Sequence, residues 1–175
     1  VPDVDRTGYF LCIGANPMVS NGSFLSAPNM RGRMRAIQAR GGKVVVVDPR
    51  RSESAREADE HVAIRPGSDA MLLLAMVRAL DARGRIDTTA VARLAAGFET
   101  VRAALAPFTP EAVAPHVGIP AADVVRLALD FADAPTASMG ALGERARHVF
   151  LRTAARDVAR GKEPRYRRLP RRVHP

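Results

Sequence analysis

The stretch KVVVVDPR, Lys43–Arg50, decides the fold. Four consecutive β-branched residues between a lysine and an Asp-Pro pair leave no polar face. Such a run fits a strand buried on both sides, as in a parallel sheet covered by helices, better than a half-exposed antiparallel strand. Upstream, Gly41-Gly42 stops whatever precedes the strand. Met30–Ala39 places Met30, Met34 and Ile37 at helical spacing, which predicts a helix over 30–39. Further upstream, Tyr9–Ile13 is a second apolar run and ends at Gly14. Strand, helix, strand is a βαβ unit, so the fold class is α/β, a Rossmann-like doubly wound parallel sheet with flanking helices.

Downstream, a short helical turn is expected over Glu53–Asp59 and a brief strand over His61–Ile64. Pro66-Gly67 makes a turn, and Ser68 or Asp69 caps a strong helix through Ala82 whose apolar face includes Leu72, Met76 and Ala79. Helices are predicted near 88–95, 98–105, 110–116 and 121–132, the last starting after Pro120. A further strand falls at Thr136–Met139. Beyond Gly140 the composition changes to Arg and Ala, then Arg and Pro. Residues 142–160 can form a helix, and 161–175 read as disordered. The expected division is an α/β segment over 1–140 and a basic, Arg-rich tail over 141–175, partly helical or disordered.

Composition narrows the function classes. Of 175 residues, 47% are hydrophobic, 26% charged and 5% aromatic, which suits a globular core of aliphatic helices on a sheet. The net charge of +9 suggests nucleic acid until it is located. Residues 141–175 hold 11 Lys/Arg against 3 Asp/Glu, a net of +8, so the body carries only +1. Nucleic-acid binding would therefore act through the tail and not the body. The lone cysteine, Cys12, excludes an internal disulfide framework and a cysteine-ligated cluster within these residues. No apolar run reaches the length of a membrane span, and no signal peptide is recognisable at Val1. No membrane insertion is expected. A start at Val1 and not at Met fits a fragment or a processed chain.

In a doubly wound sheet, ligands sit beyond the carboxyl ends of the strands. Three polar clusters fall there: Gly14-Ala15-Asn16-Pro17, Asp48-Pro49-Arg50 and Pro66-Gly67-Ser68-Asp69. Gly14 permits a close backbone approach, and Asn16 offers a donor and an acceptor, although an ordinary strand-to-loop turn explains the tetrapeptide equally well. Asp48 suits ribose hydroxyls or a turn cap; Arg50 suits a phosphate or base, or solvent. Asp69 suits the ring N–H and amino group of a guanine, or a helix N-cap. There is no G-x-G-x-x-G, and 34 residues separate Gly14 from Asp48 where an NAD fingerprint has about 20. This argues against an ordinary NAD site. The four histidines, His61, His116, His148 and His174, lie on separate segments with no i, i+3 or i+4 partner, so no metal site is expected.

The ordered combination is more specific than its parts. GANPMVSNGS (14–23) followed by RGRMRAIQARGGKVVVVDPRRSESAREADEHVAIRPGSDAMLLLAMVRAL (31–80) resembles the molybdopterin oxidoreductase family of dimethyl sulfoxide reductase, formate dehydrogenase and nitrate reductase type. That family's pattern runs G-[AS]-N-P, then hydrophobic-D-P-R with T-x-T-A, then A-D-x-H, then P-G-T-D. Here Ser52, Ser54 and Ser68 replace its threonines. The resemblance covers residues 1 to about 138. It implies a segment that holds the guanine nucleotide end of one of two molybdopterin guanine dinucleotides. Gly14 and Asn16 would face the pyrophosphate and pterin. Asp48, Pro49 and Arg50 would lie by ribose and guanine, with Gly67 and Asp69 flanking the guanine, and His61 structural. It implies no catalytic residue and no metal ligand here, because the family's iron–sulfur motif, metal ligand and C-terminal cofactor-binding domain lie outside these residues. The parent enzyme's remaining domains or an electron-transfer subunit would be the partners. The location implied is cytoplasmic, or periplasmic where an export signal precedes Val1. From Ser138 on the resemblance lapses, and a shift of reading frame near Ala137–Gly140 would produce such an arginine-rich end. Two other readings stand beside this one: a free-standing Rossmann-like nucleotide-binding module, and nucleic-acid binding through the tail.

Overall fold

A computed structural model describes residues 3–22 and 27–141. The elements are β1 (Tyr9–Ile13), α1 (Met30–Ala39), β2 (Lys43–Val47), α2 (Glu53–Glu57), β3 (Glu60–Val62), α3 (Asp69–Ala82), α4 (Thr88–Leu94), α5 (Phe98–Ala104), α6 (Pro110–Val117), α7 (Ala121–Asp133) and β4 (Ala137–Ala141). The four strands form one parallel sheet in the order β3-β2-β1-β4. The order reverses at β1, whose neighbours are β2 on one side and β4 on the other.

Both faces are covered, as the valine run requires. Tyr9, Leu11, Ile13, Val45 and Val47 share one core with Leu72 and Met76 of α3, Val113 and Val117 of α6, and Val124 and Leu127 of α7. Phe10, Cys12, Val44 and Val46 share the other with Met30, Met34 and Ile37 of α1 and Ala55 of α2. Fully burying each such aliphatic side chain contributes about 1.5–3 kcal/mol, so the sheet's interior is the main source of stability. Helix α1 ends as the glycine pair predicts: the Gly42 amide donates to the Ile37 carbonyl at 2.9 Å, with Gly41 at φ +81°.

Several details depart from the sequence reading. The third strand is Glu60–Val62 and not His61–Ile64, because the chain leaves β2 after Val62, and Ile64 drops into the core under α3. The Arg65 amide then bonds to the Val117 carbonyl at 2.8 Å, across to α6. The last strand runs Ala137–Ala141 and not Thr136–Met139. Thr136 instead plugs its entrance, its carbonyl accepting from Gly8 and Tyr9 and its hydroxyl accepting from Gly8. Helix α3 begins at Asp69 as expected, yet neither Ser68 nor Asp69 caps it. Ser68 has φ −106° and ψ 8°, a conformation that turns its hydroxyl back to donate to the Arg65 carbonyl at 2.6 Å. Helices α4 and α5 form where predicted but bury no residue. The helix read over 142–160 and the disorder read over 161–175 lie outside the described residues. Among the described residues, no helix is long and apolar enough to cross a membrane.

Candidate functional site: the carboxyl edge of the sheet

Three loops leave the carboxyl ends of β1, β2 and β3, and the sequence-predicted residues are distributed over them. After β1, Gly14 takes φ +61° and its amide donates to the Val47 carbonyl at 2.8 Å, closing the loop against β2. The side chain of Asn16 does not face outward. Its Oδ1 accepts from the Ser54 hydroxyl (2.7 Å) and amide (3.3 Å), and its Nδ2 donates to Glu53 at 2.7 Å. No acceptor for the amides of Ala15 and Asn16 is found among the described residues. That loop therefore keeps two backbone amides without an acceptor among the described residues, while the Asn16 carboxamide bonds to Glu53 and Ser54.

After β2, the Asp48 amide donates to the Val62 carbonyl (3.1 Å), and Asp48 Oδ1 accepts from the Arg50 amide at 2.8 Å, an Asx turn. The His61 ring nitrogen lies 2.9 Å from the Asp48 carbonyl, which is a bracing role. Pro49 and Arg50 are exposed, and Arg50 forms no salt bridge among the described residues. Ser52 then caps α2 by accepting from the Ala55 amide.

After β3, Arg65 anchors the loop to α6, its guanidinium donating to the Pro115 carbonyl at 2.6 Å. Gly67 is exposed at φ +77°, where a side chain is strained, and a Cβ there would meet nothing within 4 Å. Asp69 is half-buried. Burial pushes its carboxyl above the ordinary range and the nearby Asp48 charge adds to this, against its own backbone amide. No other donor to that carboxylate is found among the described residues. Asp48 and Asp69, 21 positions apart in sequence, are thus brought within electrostatic reach of each other. Half-buried carboxylates are ordinarily hydrogen-bonded. One lacking a donor, on the same sheet edge as two loop amides without an acceptor, suits a ligand bearing N–H donors at one end and phosphate at the other.

The structure also shows what sequence reasoning missed. Glu53 and Ser54 hold Asn16, and Arg65 holds the third loop. The signal available for the first pair was the hydroxyl pattern Ser52-Glu53-Ser54-Ala55, which named residues but not their partner. Cys12 is inert: burial pushes its thiol up to about 12, and it donates to the Ala15 carbonyl. Among the described residues, no three His, Cys, Asp or Glu side chains are grouped to hold a metal ion.

A family model described as "Molybdopterin oxidoreductase" matches residues 1–150. Formate dehydrogenase H of Escherichia coli K12 is 31% identical over 139 residues, 79% of this chain and 19% of that protein. The assimilatory nitrate reductase of Haloferax mediterranei is 34% identical over 134 residues, 77% of this chain and 18% of that protein. Among solved structures, acetylene hydratase from Pelobacter acetylenicus superposes with a TM-score of 0.69 at 28% identity, covering 79% of this chain and 18% of that one. The chain belongs to the molybdopterin oxidoreductase family, in which a molybdenum cofactor is implied. It spans about a fifth of the length of the curated relatives it matches. The family match reaches residue 150, past Ser138, where the sequence pattern alone stopped being recognisable.

Proposed function

We propose that residues 1–140 are the segment of a larger molybdenum-dependent oxidoreductase that holds the guanine nucleotide end of a bis-molybdopterin guanine dinucleotide. The observation that carries this reading is the Asp69 carboxylate, half-buried, near Asp48, and without a donor of its own. A guanine edge presents two adjacent N–H groups, which is what such a carboxylate lacks. Asp48, held by its Asx turn at the end of β2, is placed for ribose hydroxyls. Pro49 and Arg50 border it, with the free guanidinium available to a phosphate. The unpaired amides after Gly14 suit the pyrophosphate, and Gly67 keeps the approach to Asp69 clear. The residues present therefore fit the group. When bound, the metal end of the cofactor supplies the redox chemistry; this segment's work is to bind and orient. Iron–sulfur clusters and the metal ligand belong to the parent's other parts. The partners are those domains or an electron-transfer subunit, and the site of action is cytoplasmic, or periplasmic where an export signal precedes Val1. The near-neutral body gives no support to nucleic-acid binding at this edge.

The test is Asp69→Ala in the full-length protein, with bound guanine nucleotide and molybdenum quantified per polypeptide. A hydrogen bond to a charged group contributes about 1.5–3 kcal/mol, so retention should fall roughly 10- to 100-fold with the melting temperature little changed. Undiminished guanine nucleotide content would remove Asp69 from the site and overturn the reading it carries.

A further inference from the structure

We propose that Glu53 and Ser54 are positioning residues for the cofactor, acting through Asn16 to set the spacing between the loop after β1 and the loop after β2. The inference rests on the cofactor-binding reading above and goes beyond it by assigning two residues outside the strand-end clusters. Asn16 belongs to the first loop; Glu53 and Ser54 open α2, three residues beyond the Asp48-Pro49-Arg50 turn.

The bonding is close to saturated. The Ser54 hydroxyl donates to Asn16 Oδ1 at 2.7 Å and accepts from the Met18 amide at 3.1 Å, so one buried hydroxyl grips both ends of the turn at Asn16-Pro17-Met18. The Ser54 amide gives Oδ1 a second donor, and Glu53 takes Nδ2 at 2.7 Å. The Asn16 hydrogen bond holds the Glu53 carboxyl below the ordinary carboxylate range, with the charges of Arg50 and Arg56 helping. That bond is charge-assisted and correspondingly short. Ser52 fixes the direction of α2 by capping it, so the clamp is mounted on a rigid base.

Two consequences follow. The carboxamide of Asn16 has no capacity left for a ligand on its acceptor oxygen, so this loop meets the cofactor through the amides of Ala15 and Asn16. The position of those amides relative to Asp48 is fixed by Glu53 and Ser54. Loss of the Glu53 carboxylate leaves no buried cavity, since that side chain lies at the surface of the clamp, but it removes the one hydrogen bond that holds Asn16 Nδ2 and leaves the carboxamide held by Ser54 alone.

The experiment uses the full-length protein and reads guanine nucleotide retained per polypeptide after exhaustive dialysis, well below the melting temperature. The variants are Glu53→Ala, Glu53→Gln, Asn16→Ala, the Asn16→Ala/Glu53→Ala double and Asp69→Ala. A glutamine oxygen still accepts from Asn16 Nδ2. Retention is expected to fall about 5- to 10-fold in Glu53→Ala, less than for a direct charge-assisted contact because Glu53 acts through Asn16, and to recover to within about twofold of the parent in Glu53→Gln. The double variant should be no worse than Asn16→Ala alone, because both act through one contact. Full retention in Glu53→Ala with loss in Asp69→Ala overturns the clamp and leaves the cofactor reading standing. Multiplying losses in the double variant also overturn the clamp. Retention in Asp69→Ala overturns the reading and the clamp together.

Discussion

At the amino ends of the strands, Glu60 of β3 accepts from Arg126 of α7 at 2.5 and 3.1 Å and lies 2.8 Å from the Lys43 ammonium of β2. Asp130 meets both cations, and Asp123 adds a further contact to Arg126. At the carboxyl ends of the same strands, Asp69 has no donor from another residue, Arg50 has no carboxylate, and two loop amides have no acceptor among the described residues. Both edges carry charge and both are partly buried. The charged side chains of the first are paired with one another and tie α7 to the sheet, although the Tyr9 hydroxyl beside them is buried without a hydrogen-bond partner among the described residues; those of the second lack partners among the described residues. Paired polar groups such as the first serve folding, and the unpaired ones of the second are those that the proposed cofactor reading uses. Two glycines, Gly42 and Gly67, differ in the same sense, although Gly41 at the amino edge also meets nothing and Gly22 after β1 is tightly enclosed. At the amino edge, a Cβ on Gly42 would lie 2.7 Å from the Gly8 carbonyl oxygen and 2.9 Å from that of Ile37; at the carboxyl edge, one on Gly67 would touch nothing.

The largest expected effect breaks the packed edge. Gly42→Ala forces a methyl against two backbone oxygens that cannot move independently of β1 and α1, and should cost about 3 kcal/mol, at the upper end for overpacking. Gly67→Ala meets no neighbour and carries only the strain of a left-handed backbone, about 1 kcal/mol. Denaturant midpoints at constant slope measure both. Equal costs would mean that the open edge is packed after all.

A middle-sized effect separates the ion network from the site. Glu60→Ala leaves Arg126 and Lys43 sharing Asp130 and Asp123, and should cost about 1–2 kcal/mol, since these partners are only partly shielded from solvent. Added salt should narrow the difference. Guanine nucleotide retention should be unchanged, in contrast to Asp69→Ala. A loss of nucleotide on breaking the amino edge would show that the two edges are coupled through the strands.

What the sequence made legible divides along similar lines. Elements β1, α1, β2 and α3 are fixed by local signals, a β-branched run, a glycine pair and an apolar helix face, and the structure reproduces their limits. The limits of β3 failed because Ile64 is as apolar as a strand residue, yet belongs to the core under α3. The strand-end loops were readable as loops, since Gly14, Pro49 and Gly67 punctuate them. Their internal wiring was not. Asn16 looked available for a ligand because its partners lie 37 and 38 residues later, a distance no local pattern encodes. Ser68 looked like a cap because composition does not reveal a hydroxyl turned back onto Arg65. The helical pattern of α4 and α5 likewise gave no hint that these helices bury nothing. The membership of the family was legible because it depends on ordered loop motifs and not on any one of these contacts.

The smallest effect is the sharpest, because the two edges should respond to acid with opposite signs. In Glu60, burial alone would raise the carboxyl, but Arg126 and Lys43 outweigh it and hold it below its ordinary 4.5. The unfolded chain therefore takes up that proton first, and the stability Glu60 contributes is complete above 4.5 and is lost as pH falls through the folded value. In Asp69, burial and then the Asp48 charge hold the carboxyl above 3.8, so the folded protein takes up the proton first. Its ionised form is a liability to the cofactor-free fold, one that is relieved as pH falls from the folded value towards 3.8. Glu60→Gln should accordingly be less stable than the parent near neutrality, and Asp69→Asn slightly more stable, with both differences shrinking in acid. Urea midpoints from about pH 7 down to about pH 3.5 read both gaps on one axis. Gaps of the same sign would mean that Asp69 has found donors within the chain and is not waiting for a ligand. Bound guanine would supply those donors and draw the Asp69 carboxyl back down, so protonation of Asp69 should compete with the nucleotide and retention should weaken as the solution is made acidic.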